Sequence, residues 1–106
     1  MKKVYIAHAL SGAWAEGVQA AKEYAFTAAL LGYMPIVPYV LLDGLLDDSK
    51  ESDRKLGMLL DTKQLLNCDE IWLCGEVISG GMEKEREEAA LLHLTEKRFL
   101  NPKDCT

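Results

Sequence analysis

Glu70-Ile71-Trp72-Leu73-Cys74 and, five residues on, Ser79-Gly80-Gly81-Met82 are the stretch that decides the fold. The first run, rich in β-branched and aromatic residues, reads as a strand, and the Gly80-Gly81 pair punctuates the passage to a helix from about Met82 to Glu96. Working back, Val4-Tyr5-Ile6-Ala7 is a second such run, closed by Ser11 and Gly12, as expected of a buried strand and its turn. From Ala13 to Leu31, Trp14, Val18, Ala21, Ala25 and Ala28 recur at spacings of four and three and share one helical face. Gly32 follows in the place that suits a left-handed helix cap.

Met34-Pro35-Ile36-Val37-Pro38 is a short apolar run whose prolines cannot donate ladder hydrogen bonds, which places a strand at or near the sheet edge. Tyr39 to Leu46 is greasy for a connection and predicts a lid, a pocket wall or an interface. The acidic stretch Asp47 to Asp53 favours a helix start, and a helix is expected from about Ser52 to Asn67. It carries two apolar faces: Leu56, Leu59, Leu60 and Leu66 on one, and Met58, Leu65 and the carboxylate Asp61 on roughly the other. Arg98-Phe99-Leu100 reads as a short last strand. Alternating strands and helices predict an α/β fold of three layers, α/β/α, flavodoxin- or Rossmann-like, with about four parallel strands.

The bulk composition limits the function classes. With 106 residues the chain fits a single domain, 1–106, and 49% apolar with 27% charged residues is ordinary globular composition. A net charge of −5, with its twelve Lys and Arg scattered, argues against nucleic acid as partner. Cys68, Cys74 and Cys105 form neither a CxxC pair nor a group with nearby His, so neither a disulfide framework nor a metal site is indicated. Cys68 and Cys74 read as small buried hydrophobes, and Cys105 as exposed at a frayed end. With no long apolar run and no signal-peptide pattern, a cytoplasmic protein with no membrane partner is expected.

In open parallel sheets, ligands bind beyond the carboxyl ends of the strands where successive connections diverge. His8 to Gly12, Tyr39 to Gly44 and Glu76 to Glu85 should converge there. Ser79, Gly80, Gly81 and Met82 can approach a ligand closely and offer helix-start N–H groups to an anion or a hydroxyl-rich group, although the same glycines suit a turn and nothing more. Glu85, three residues past Met82 and four before Ala89, falls among positions expected to pack inward. Glu83, Lys84, Arg86, Glu87 and Glu88 around it read as a solvated charge run. His8 is placed to line the crevice, while His93, inside the last helix, reads as structural or exposed. Trp72 reads as core and Trp14 as packing.

Tyr5-Ile6-Ala7, Pro35-Ile36-Val37-Pro38, Asp61, Cys68-Asp69-Glu70-Ile71-Trp72 and Ser79-x-Gly81-Met82-x-x-Glu85-x-x-x-Ala89 together resemble the nucleoside 2-deoxyribosyltransferase-like superfamily, and within it a small bacterial and phage-associated branch. The resemblance runs from Val4 to about Phe99. It implies that Glu85 is the nucleophile that takes a glycosyl group, that Asp61, or less directly Asp43, serves the base and its proton, and that Tyr5 orients Glu85. Two departures stand at the motif: Ser79 replaces an aspartate and Met82 a threonine. His8-Ala9-Leu10 replaces the Gly-Pro-Phe or Ser-Pro-Tyr type of segment, and Gly17 stands where the branch often has asparagine. The expected ligand is a nucleoside or nucleotide with no cofactor, the alternative being a non-catalytic module for a nucleotide or phosphate ligand. The two apolar faces of the middle helix and the greasy loop predict a homo-oligomer.

Overall fold

The computed structural model describes residues 1–10, 14–38, 45–47 and 49–105, with Trp14 described by its backbone. Among them, four strands pair in parallel in the order β2-β1-β3-β4: β1 (Lys3–His8), β2 (Met34–Ile36), β3 (Glu70–Cys74) and β4 (Thr95–Phe99). Helix α1 (Trp14–Leu30) links β1 to β2, α2 (Glu51–Leu66) precedes β3, and α3 (Gly80–Leu91) links β3 to β4. A short 3-10 helix, Pro102–Cys105, follows. This is the expected α/β fold, in the strand order of flavodoxin-like sheets.

Because helices cover both faces, the two central strands bury alternate residues in opposite directions, which is why they read as unbroken apolar runs. Val4, Ile6, Trp72 and Cys74 meet Ala21, Tyr24 and Ala28 of α1; the small side chains of that stripe let the helix press close to the sheet. On the other face Tyr5, Ala7, Ile71 and Leu73 meet Leu65 of α2, Cys68, and Met82 and Ala89 of α3. Trp72 is core, packed edge-on against Tyr33 and Phe99 at 5.2 and 4.9 Å between ring centroids. Its indole N–H donates to the buried Glu70 carboxylate at 3.0 Å. Burial opposes that charge, but Trp72, Lys97 at 3.2 Å and Lys2 outweigh it and hold Glu70 below the usual carboxylate range.

Gly32 takes φ 93° and closes α1, with Gly32 N–H donating to Ala29 O and Tyr33 N–H to Ala28 O. The same pair of bonds ends α3 five residues before the expected Glu96: His93 N–H reaches Ala90 O, Leu94 N–H reaches Ala89 O, and His93 itself adopts φ 60°. His93 is therefore a cap outside the helix. The last strand accordingly begins at Thr95 and not at Arg98, and its register pairs Glu70 with Thr95 and Cys74 with Phe99. The α3 start also differs, since Gly80 and Gly81 form its first turn. β2 stops at Ile36, and as an edge strand it tolerates Pro35. Of the two faces of α2, the inward one carries Asp61 and Leu65, while Leu56, Leu59 and Leu66 are exposed. Cys105 is half-buried against the core and not a frayed exposed thiol. No helix among the described residues is long and apolar enough to cross a membrane.

Candidate functional site

β1 leads through α1 to one side of the sheet and β3 through α3 to the other, so the crevice opens at the carboxyl ends of β1 and β3, between α2 and α3. A cavity of about 340 Å³ lies there, lined among others by His8, Asp61, Ser79, Gly80, Gly81, Met82 and Glu85. Gly12 and Asp43, and all of the Tyr39 to Leu46 loop except its last two residues, lie outside the described residues.

Tyr5 stands in the middle of β1, fully buried, and its side chain points toward α2 and α3 because that is the side its pleat position faces. Its hydroxyl donates to Glu85 Oε2. Glu85 reaches the same place from the second turn of α3, one turn past the buried Met82. Asp61 arrives from α2, one turn before the buried Leu65. Two helices thus bring two carboxyls to one cavity, and β1 sets a buried phenol against one of them.

The environment raises both carboxyls. Glu85 is pushed from 4.5 up to about 7, mainly by burial; the Tyr5 hydrogen bond opposes this, and the charges of Asp61 and Glu88 add to it. Asp61 is pushed from 3.8 up to about 6, again mainly by burial, with Glu88 contributing. Asp61 Oδ1 is buried with no hydrogen-bond partner among the described residues, an acceptor awaiting a donor. As pH falls toward neutral the pair takes up its first proton, held mainly on Glu85, the group raised higher. Glycosidic chemistry requires a carboxylate to attack and a carboxylic acid to donate, and for Glu85 to be the attacking group the proton it holds more tightly must pass to Asp61.

The turn preceding α3 is a cap. Ser79 Oγ accepts from Met82 N–H at 3.2 Å, and Ser79 N–H meets Met82 Sδ at 3.4 Å. Met82 is buried and holds the helix start on the sheet. Neither Gly80 nor Gly81 has a positive φ; a Cβ at Gly80 would meet nothing within 4 Å, and one at Gly81 only Ser79 Oγ at 3.9 Å. The fold does not demand glycine there, and both residues leave the cavity lining bare of side chains. His8 donates from Nδ1 to Ala9 O at 2.9 Å, and Gly75, at φ 88°, lies so near that a Cβ would stand 2.8 Å from His8 Nε2. Gly17 has a steric reason too: a Cβ would lie 2.7 Å from Ala9 O, so a larger side chain would not fit there. Met58, Thr62, Lys84 and Glu88 also line the cavity. Met58 was signalled by sharing a face with Asp61, whereas Glu88 lies in the charge run that reads as solvated.

A family model described as a domain of unknown function, DUF7768, matches residues 2–99. The chain belongs to the DUF7768 family. Among solved structures, this DUF7768 domain is similar to a 2-deoxyribosyltransferase of the psychrotolerant bacterium Bacillus psychrosaccharolyticus, with a TM-score of 0.76 at 15% identity, over 92% of this chain and 71% of that one. That enzyme is described as a biocatalyst for the synthesis of antiviral and antitumoral nucleosides. No curated protein matches the DUF7768 chain. The structural likeness is one of fold: a flavodoxin-like sheet carrying the crevice at its switch point.

Proposed function

We propose that this DUF7768 protein cleaves or transfers the N-glycosidic bond of a nucleoside or nucleotide, with Glu85 as nucleophile. The observation that carries the reading is the meeting of Glu85, held from behind by the Tyr5 phenol, and the orphaned Asp61 carboxyl in one cavity at the switch point. The flavodoxin-like fold shared with a 2-deoxyribosyltransferase supports it. In the first step a Glu85 carboxylate oxygen bonds to the anomeric carbon, the carbon–nitrogen bond breaks, and its electron pair leaves with the base as Asp61 supplies a proton. In the second, water or another base attacks the glycosyl–Glu85 ester, the ester bond to Glu85 breaks, and the anomeric configuration is retained overall. Tyr5 holds Glu85 in line and stabilises its ionised form. The Gly80-Gly81 floor and His8 contact the ligand, with Gly12 and Asp43 as further candidates.

The test is a panel of deoxynucleosides, ribonucleosides and their monophosphates incubated with pure protein, with free base followed by chromatography. Base release abolished by Glu85→Gln is expected; release that survives this substitution sinks the assignment. A non-catalytic binding module is favoured by one observation, that the Ser79 hydroxyl is committed to the Met82 amide. Saturable thermal stabilisation by a nucleotide without any base release would select that reading. The exposed Leu56, Leu59 and Leu66 on α2 support self-association into a homo-oligomer. A monomeric mass in light scattering at micromolar concentration would remove that part.

A further inference from the structure

Glu88 belongs to a run of charges that pattern assigns to solvent, yet it is half-buried and lines the cavity. It stands one turn beyond Glu85 and shares its side of α3. Across the crevice, Thr62 shares its single hydroxyl proton between Met58 O at 3.0 Å and Glu88 Oε2 at 3.2 Å, tying Glu88 to the residue that follows Asp61. Its neighbour in the run behaves differently: Arg86 forks onto Glu96 at 2.8 and 3.0 Å and pairs with Glu83, so its cation is directed to the β4 side. Among the described residues, the groups that face Asp61 and Glu85 are then Tyr5 and His8 from β1, and Lys84, Glu88 and the amides of the first turn from α3.

We propose that Glu88 is a positioning residue: clamped by Thr62, its negative charge retains one proton on the Asp61–Glu85 pair at neutral pH, so that the pair presents an acid beside a nucleophile. The proposal rests on the glycosidic reading of the site, to which it adds the means by which the acid keeps its proton. A like charge fixed nearby disfavours ionisation, and Glu88 acts in that sense on Asp61, second to burial, and on Glu85, where burial, the Tyr5 hydrogen bond and Asp61 all weigh more. A helix-to-helix tether with no electrostatic role would need only the hydrogen bond, which a neutral amide also makes.

Carboxyl-carbon NMR titration of the full chain labelled at Asp and Glu, with no ligand added, reads the retained proton directly. Glu88→Gln keeps an acceptor for Thr62 and should lower the titrations of the pair, Asp61 more than Glu85, by up to about one pH unit, as expected on losing a like charge on the same cavity wall. Thr62→Val should shift them in the same direction by less, and Thr62→Ser should titrate as the wild type does. Titrations unchanged or raised in Glu88→Gln overturn the proposal, and a wild-type titration in Thr62→Val overturns the clamp. In a base-release assay the alkaline limb should move acidward in Glu88→Gln by the same interval. If the wild type releases no base while the titrations shift, the glycosidic reading fails and the role of Glu88 in holding the proton stands.

Discussion

Replacing Glu85 by Gln removes a buried charge while keeping shape and an acceptor for the Tyr5 hydroxyl, so its effect on stability should depend on pH. Glu85 titrates at 4.5 when unconstrained and at about 7 in the folded chain. A carboxyl raised on folding binds its proton more tightly in the native state, so its contribution is greatest in acid, falls as pH rises through that window, and levels off above it. At about 1.4 kcal/mol per pH unit, the wild type should lose roughly 3 kcal/mol to this group between pH 4 and pH 8. Glu85→Gln should therefore match the wild type within about 1 kcal/mol at pH 5 and exceed it by roughly 2 kcal/mol at pH 8. Asp61, raised from 3.8 to about 6, adds a decline that both proteins share. Urea unfolding followed by tryptophan fluorescence at several pH values measures this. Parallel pH profiles for the two proteins, or a wild type that gains stability from pH 5 to pH 8, would refute the reasoning.

Gly80→Ala should fold normally, since its Cβ meets no atom within 4 Å, and should weaken nucleoside-dependent thermal stabilisation at least tenfold in apparent affinity; unchanged binding would show that the cavity floor is not used. Ser79→Ala removes the α3 cap and should cost about 1 kcal/mol in urea unfolding, at every pH. His93→Gly relieves the left-handed cap position and should stabilise by roughly 0.5 kcal/mol in the same assay. Glu70, held below the usual carboxylate range, contributes stability that is present above its unfolded value and lost as pH falls through its folded one. Glu70→Gln should accordingly destabilise the chain at pH 7 and converge on the wild type in strong acid.

Much of this architecture is legible because the central strands are covered on both faces, which turns Val4 to Ala7 and Ile71 to Cys74 into uninterrupted apolar runs. The end of α3 was hidden for a local reason. A histidine in the left-handed cap carries no sequence signal comparable to Gly32, and Thr95-Glu96-Lys97 on an edge strand looks as polar as a helix face. At the site, the spacing from Met82 to Glu85 to Ala89 marks the inward stripe of α3, and Asp61 follows from the same logic on α2. Glu88 was not legible, because a charge run reads as solvated and only the approach of Thr62 from another helix turns one member inward. Periodicity gives α2 two apolar faces and does not choose between them; contact with the sheet does.

The central claim is that Glu85 attacks the anomeric carbon, and the stereochemistry of the sugar product tests it most directly. With a nucleoside that the protein cleaves and methanol as acceptor, proton NMR of the methyl glycoside should show the starting anomeric configuration retained, with no product from Glu85→Gln. An inverted product, or a glycoside formed equally well by Glu85→Gln, would contradict it.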